Sequence, residues 1–217
     1  MVRALVVADE VDETLWCGQR ALDLDVDVVL GAGDLPFAYL EHLADMLNAP
    51  VAFVPGNHDP DLTGFTRYRG LALRGGMPAS WPGPAGGIDV DGRVATVAGL
   101  RIAGLGGSVR YREGPNQWTQ RQQARRARLL TWRSRGRPVD VLLTHAPPRG
   151  LGDRDDLPHH GFDCLHRTVR RLRPRWLLHG HIHPYGEQVP DRRIGDTVVR
   201  NVVGAHVLDL GAFVGSR

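Results

Sequence analysis

The chain contains no lysine; all 27 of its basic side chains are arginine. Arginine forks suit phosphate oxygens, but all-arginine usage fits a GC-rich genome equally well. Against 24 acidic residues the formal charge is only +3, too small to argue for a nucleic-acid partner. Cysteine is nearly absent: Cys17 and Cys164 lie far apart, outside any metal-like spacing, which excludes a disulfide scaffold and fits a reducing compartment. No apolar run approaches the roughly 18–20 residues of a membrane span. The N-terminus, MVRALVVADEVDE, is apolar for one strand's length and then turns acidic, unlike a secretory signal. A cytoplasmic protein without membrane contact is therefore expected. With 217 residues and 42% hydrophobic content, the chain can bury a core as a single domain over 1–217.

Short apolar runs alternate with helical stretches in the first third. Strands are expected at Ala4–Ala8, Val26–Leu30 and Val51–Val54, with helices at Thr14–Leu24 and Phe37–Leu47, a βαβ rhythm that favours a largely parallel sheet. Between Gly86 and Gly106, broken by Asp91-Gly92 and Gly99, the pattern reads as antiparallel hairpin strands. Gln117–Arg135 reads as a basic helix, with Arg121, Arg125, Arg126 and Arg128 on its wet face. The rhythm returns with strands at Val139–Leu143 and Trp176–Leu178 and a helix at Cys164–Leu172. Thr197–Val203 and Val207–Leu210 close the chain as strands.

Chemistry collects just after these strands. Asp9 follows the first, Asp34 the second, Asn57 and His58 the third, His145 the strand ending LLT, and His181 and His183 the strand ending LLHG. In an open α/β sheet, ligands gather outside the carboxyl ends of strands. A carboxylate, amide and imidazole set without thiolate suits Mn, Fe, Ni, Zn or Mg. Two such ions about 3.5–4 Å apart clamp a phosphoryl group and activate water, and Asp34 offers a bridging oxygen. Gly33 lets the backbone approach without a Cβ in the way.

These residues fall into an ordered series: Asp9 in ADEV, Gly33-Asp34, Gly56-Asn57-His58-Asp59, His145 in LTHAPP, and Gly180-His181-Ile182-His183. The series resembles the calcineurin-like metallophosphoesterase pattern D-x-H, G-D, G-N-H-[DE], H, G-H-x-H. The resemblance implies a four-layer α/β/β/α sandwich and hydrolysis of a small phosphate ester by metal-activated water. It also implies two divalent ions, manganese first among the candidates. One ion would be held by Asp9, Asp34 and His183, the other by Asp34, Asn57, His145 and His181. His58 would protonate the leaving oxygen or steady the developing charge, with Asp59 orienting its imidazole. The LTHAPP segment looks most like the branch acting on cyclic or other nucleotide esters. A phosphomonoesterase, a weakly catalytic metal-binding interaction protein and, on the strength of the arginine helix, a nuclease are the alternatives.

The pattern breaks at one position, where Val11 replaces the histidine of D-x-H. Three readings follow: Asp12 supplies a replacement carboxylate, that ion has one ligand fewer, or the site is degenerate. Asp12 equally suits an N-cap for the helix near Thr14. Arg110 and Arg112, in the loop from Gly107 to Arg112, and Arg149 are candidate forks for phosphate oxygens. His160 and Asp156, in the loop after His145, are candidate substrate contacts, with loop-internal hydrogen bonding as the alternative. His42, His179 and His206 read as structural.

Overall fold

Alternation along the first strand feeds two apolar layers at once. Ala4, Val6 and Ala8 enter one buried cluster, and Leu5 and Val7 another, as the two-residue period of a strand requires. The computed structural model describes residues 1–18, 24–69, 71–187 and 189–211. Its first third runs β1 (Val2–Ala8), α1 (Glu13–Trp16), β2 (Val28–Gly31), α2 (Phe37–Leu47) and β3 (Val51–Phe53). A small antiparallel sheet follows, built of β4 (Phe65–Tyr68), β5 (Leu71–Arg74) and β6 (Met77–Pro78), which had no counterpart in the sequence reading. Then come β7 (Ile88–Asp89), β8 (Val94–Val97), β9 (Leu100–Leu105), β10 (Ser108–Val109), β11 (Gln117–Trp118) and α3 (Gln120–Arg133). The last third holds β12 (Val141–Thr144), α4 (Cys164–Leu172), β13 (Trp176–His179), β14 (Arg192–Ile194), β15 (Thr197–Asn201) and β16 (Gly204–Leu210).

Two sheets face each other. The first has the order β16-β1-β2-β3-β7, the second β14-β15-β13-β12-β9-β8. Between them lies a cluster that draws Val6, Leu30 and Val54 from the first half of the chain and Ile102, Val141 and Leu178 from the second. Outside the first sheet, Leu15, Tyr39 and Leu43 of α1 and α2 pack on Leu5, Val29 and Phe53. Outside the second, Ala127, Leu130, Leu165 and Val169 of α3 and α4 pack on Ala103, Leu142 and Leu177. The result is the four-layer α/β/β/α sandwich.

In the first sheet β1, β2 and β3 are parallel, and in the second so are β9, β12, β13 and β15. The loops after the two sets meet: Gly107 N–H, beyond β9, donates to Pro55 O, beyond β3, at 2.8 Å. Cross-sheet closure of this kind gathers every strand-end residue named above at one edge.

Local departures from the sequence reading have local causes. The first helix is one turn, Glu13–Trp16, with Gly18 in the left-handed region at φ 75°, where an L side chain is costly. Residues 19–23 of the expected helix lie outside the described residues, and Leu24 is not helical. At the arginine helix, Thr119 forms a capping box with Gln122, so α3 starts at Gln120 and leaves Gln117-Trp118 free to pair as β11. The expected hairpin is β8–β9, turning at Ala98-Gly99. β7 instead joins the first sheet, alongside β3.

Candidate metal centre

Each motif residue reaches the shared edge through a sharp turn after its strand. Asp9, Asp34 and His181 all have left-handed backbones, at φ 61°, 57° and 69°, an uncommon state for residues with side chains and one that collects at functional sites. Close backbone approach explains the adjoining glycines. A Cβ on Gly33 would stand 2.5 Å from Gly56 N and 2.7 Å from His145 Nδ1, and one on Gly56 would stand 2.1 Å from Asp34 Oδ1. No side chain fits at either position.

His145 is fully buried. Its Nδ1 lies 2.8 Å from Ala32 O; a carbonyl only accepts, so Nδ1 carries the proton and donates. In the neutral ring Nε2 is then a lone pair, yet it faces Asn57 Oδ1 at 3.1 Å and Asp34 Oδ2 at 3.3 Å. Three acceptor atoms therefore converge with no donor among them, an arrangement that needs either an extra proton or a cation. Burial alone would lower the His145 pKa. The Asp34 carboxylate outweighs that and raises it to about 9, so in the metal-free protein the ring itself carries the missing positive charge. Burial pushes Asp34 upward, but His145 beside it and the hydrogen bonds it accepts bring it down to about 2.

The neighbouring imidazole is oriented the same way. His181 Nε2 donates to Pro158 O at 2.8 Å, leaving Nδ1 as the lone pair. Ligand atoms of Asp34, His145 and His181 all lie within 4.8 Å of one another. Burial, with the His145 charge adding to it, lowers the His181 pKa to about 3, which keeps this ring neutral and able to ligate. Asp9 is fixed by His181 N–H donating to its Oδ2 at 2.8 Å, and burial raises its pKa. His183 places Nε2 3.9 Å from Asp9 Oδ1. That gap is too long for a hydrogen bond, but a single ion with bonds of about 2.1 Å reaches both atoms.

Several roles differ from the expectation. Asp12 caps α1, the other role the sequence offered it: its Oδ1 accepts from Thr14 N, Leu15 N and Thr14 Oγ1 at 2.9, 3.2 and 2.6 Å. Val11 is half-buried against the apolar cluster under α1 and α2. Asp59 does not orient the His58 ring. It is buried, and its Oδ2 accepts from Asp34 N at 3.0 Å and Gly56 N at 2.7 Å, which ties two motif loops together. Burial raises its pKa to about 6. The residues suggested as substrate contacts are engaged within their own loops. Arg110 donates to Gln117 O, Arg149 to Asp153 Oδ2 and Arg154 O, His160 to Asp155 O, and Asp156 bonds His159. Arg126 leaves the wet face of α3, pairing with Asp91 and lying over Trp118. With Asp91 it holds Gly106 by both N–H and C=O, at the root of the loop that ends in Arg112.

Two residues without an assigned role in the sequence reading, Tyr111 and Glu10, contact the site, as does Arg112, a suggested phosphate fork. Tyr111 Oη receives Asn57 Nδ2 at 3.4 Å, which turns the amide oxygen toward His145. Arg112 Nη2 stands 3.4 Å from His58 Nδ1. Glu10 Oε1 lies 2.9 Å from His183 Nδ1. The position of Tyr111 and Arg112 after β9 was the available sequence signal, whereas nothing in the sequence singled out Glu10.

A family model described as calcineurin-like phosphoesterase matches residues 8–185, a span that includes every converging side chain. The chain belongs to the calcineurin-like phosphoesterase family. Solved structures share the family's sandwich. TT1561 of Thermus thermophilus superposes with a TM-score of 0.61 at 16% identity, covering 93% of this chain and 88% of that one. Another solved structure, at 14% identity, gives 0.62 over 96% and 99% of the two chains. Vps29 of Entamoeba histolytica, solved in complex with Zn²⁺, reaches only 0.43 at 12% identity over 93% and 74%, too low to bear on the fold. Identities this low speak to the fold alone, and no curated protein matches in sequence. Members of the calcineurin-like phosphoesterase family are metal-dependent hydrolases of phosphate esters in general, and the converging acceptors of this member fit a cation. Among the described residues no helix is long and apolar enough to cross a membrane.

Proposed function

We propose that this protein is a metal-dependent phosphodiesterase acting on a small phosphodiester. The observation that carries the metal-dependent reading is the meeting of His145 Nε2, Asn57 Oδ1 and Asp34 Oδ2, where a neutral ring leaves three acceptors around one point, beside the Asp9–His183 gap. One divalent ion would be held by Asp34, Asn57, His145 and His181, the second by Asp9, Asp34 and His183, with Asp34 common to both. Manganese is the first candidate by donor type. Such a pair, when bound, supplies an activated water and neutralises charge on the phosphoryl oxygens.

The protein's own residues do the rest. His58 is exposed and lines, with Asp34 and Phe37, a shallow cavity of about 350 Å³. A guanidinium only donates, so Arg112 fixes His58 Nδ1 as an acceptor and leaves the ring proton on Nε2. That N–H is free to hydrogen-bond the leaving oxygen and steady its developing charge. Arg112 retains further N–H groups for a phosphate oxygen. The His58 backbone N–H, donating to Asp34 Oδ1 at 2.7 Å, sets the distance between this ring and the acidic cluster.

The test is elemental analysis after Mn²⁺ reconstitution, with hydrolysis of bis-p-nitrophenyl phosphate and p-nitrophenyl phosphate. Two ions per chain and faster turnover of the diester are expected, and His58→Ala should keep the metal while losing turnover. Preference for the monoester would favour a phosphomonoesterase. Metal without turnover of either ester would favour the binding-protein alternative that Val11 motivates.

A further inference from the structure

The three imidazoles of the centre share one design. In His145 and His181 the nitrogen turned away from the carboxylates is held by a backbone carbonyl, Ala32 O and Pro158 O, each at 2.8 Å. In His183 the corresponding partner is a side chain, Glu10 Oε1, at 2.9 Å from Nδ1. An ionised carboxylate only accepts, so Nδ1 of His183 carries the proton and Nε2, 3.9 Å from Asp9 Oδ1, is the lone pair. Holding a ligand histidine by its outer nitrogen fixes both tautomer and ring orientation.

Chain geometry explains why Glu10 rather than Val11 takes part. Asp9 is left-handed and Glu10 N–H donates to Ala8 O at 2.6 Å, so the chain reverses directly after β1. Glu10 then meets His183, while Val11 joins the apolar cluster under α1 and α2. We propose that Glu10 is a positioning residue of the second ion's half-site. By this account it orients His183 from the turn beside Val11, the position where the family pattern has a histidine ligand. The proposal rests on the metal-centre reading above and adds the device by which a centre lacking one ligand holds its second ion.

Equilibrium dialysis against Mn²⁺ alone, with bound metal counted by elemental analysis, tests it without recourse to activity. Wild type, Glu10→Gln and Glu10→Ala are compared. The glutamine amide oxygen can still accept from Nδ1–H but brings no charge. Glu10→Ala is expected to weaken the looser of two Mn²⁺ sites by about 10–100-fold and to leave the tighter one unchanged, and Glu10→Gln should recover most of that loss. Because Glu10 is exposed, both variants should match the wild-type thermal midpoint. Unchanged affinity in Glu10→Ala would overturn the proposal. Glu10→Gln binding as poorly as Glu10→Ala would also overturn it, since the carboxylate would then act through its charge or as a ligand rather than by orienting His183. If wild type itself binds no Mn²⁺, the underlying metal-centre reading falls, an outcome distinct from either of these.

Discussion

The half of the site around His145 is sealed and the half around His183 is open. The His145 side chain is 0% exposed, that of His183 36% and that of its partner Glu10 58%. On the sealed side, the ring is steered by a backbone carbonyl, the amide by Tyr111, and the loops of Asp34 and Gly56 are tied by Asp59. On the open side one exposed carboxylate does the steering, and the position of the family pattern's further histidine ligand is a valine. Backbone groups cannot swing away and burial strengthens each charge interaction. On the two-ion reading proposed above, the sealed half would hold its ion tightly and the open half would hold one loosely.

Substituting the two histidines separately should break this asymmetry most visibly. His145→Ala is expected to weaken the tight ion by well over the roughly 100-fold that loss of an outer partner costs. His183→Ala should spare that ion and remove only the loose one, as counted by metal content after dialysis. Equal losses in the two variants would show that the halves do not differ. Asp59→Ala addresses the bracing of the sealed half. It leaves one buried N–H, that of Gly56, and one part-buried N–H, that of Asp34, without their acceptor; at about 1–3 kcal/mol for the buried group and about 1 for the other, a loss of roughly 2–4 kcal/mol is expected in denaturant unfolding. A loss under about 0.5 kcal/mol would mean the loops hold without it.

The smallest effect is one of pH. With its pKa raised to about 9, His145 contributes stability to the metal-free protein that is fully present below about pH 6.5. That contribution is lost as the pH rises through about 9. Bound metal requires the deprotonated ring, so Mn²⁺ affinity of the sealed half should rise about tenfold per pH unit up to about 9. Calorimetry in buffers of different ionisation heat should find about one proton released per chain at pH 7. No proton release would place the neutral ring, rather than the imidazolium, in the metal-free site.

Much of this was legible in the chain before its structure. Asp9, Asp34, Asn57, His145, His181 and His183 each follow a short apolar run, and a strand's end marks itself locally by the change from apolar to polar residues. The boundaries that failed did so for equally local reasons. The cap at Thr119 displaced the start of α3, and Gly18 ended α1 early. The β4–β6 sheet went unseen because its strands are short and carry exposed residues such as Tyr68, Leu71 and Met77, without the buried alternation that signals a strand.

The pattern of runs was enough to set the acidic, amide and imidazole groups after strand ends, and the resemblance carried by those motif residues implied the four layers. Tertiary structure alone decided which nitrogen of each ring turns inward. The partner that fixes His145 lies 113 residues away along the chain, and the one that fixes His183 lies 173 away. It also sent Asp12 to a helix cap, Asp59 to the backbone of two loops, Arg126 into the structure and Arg112 to His58. A residue's type sets what it can donate or accept, but its partner depends on which distant loop the packed sheets bring within about 3 Å.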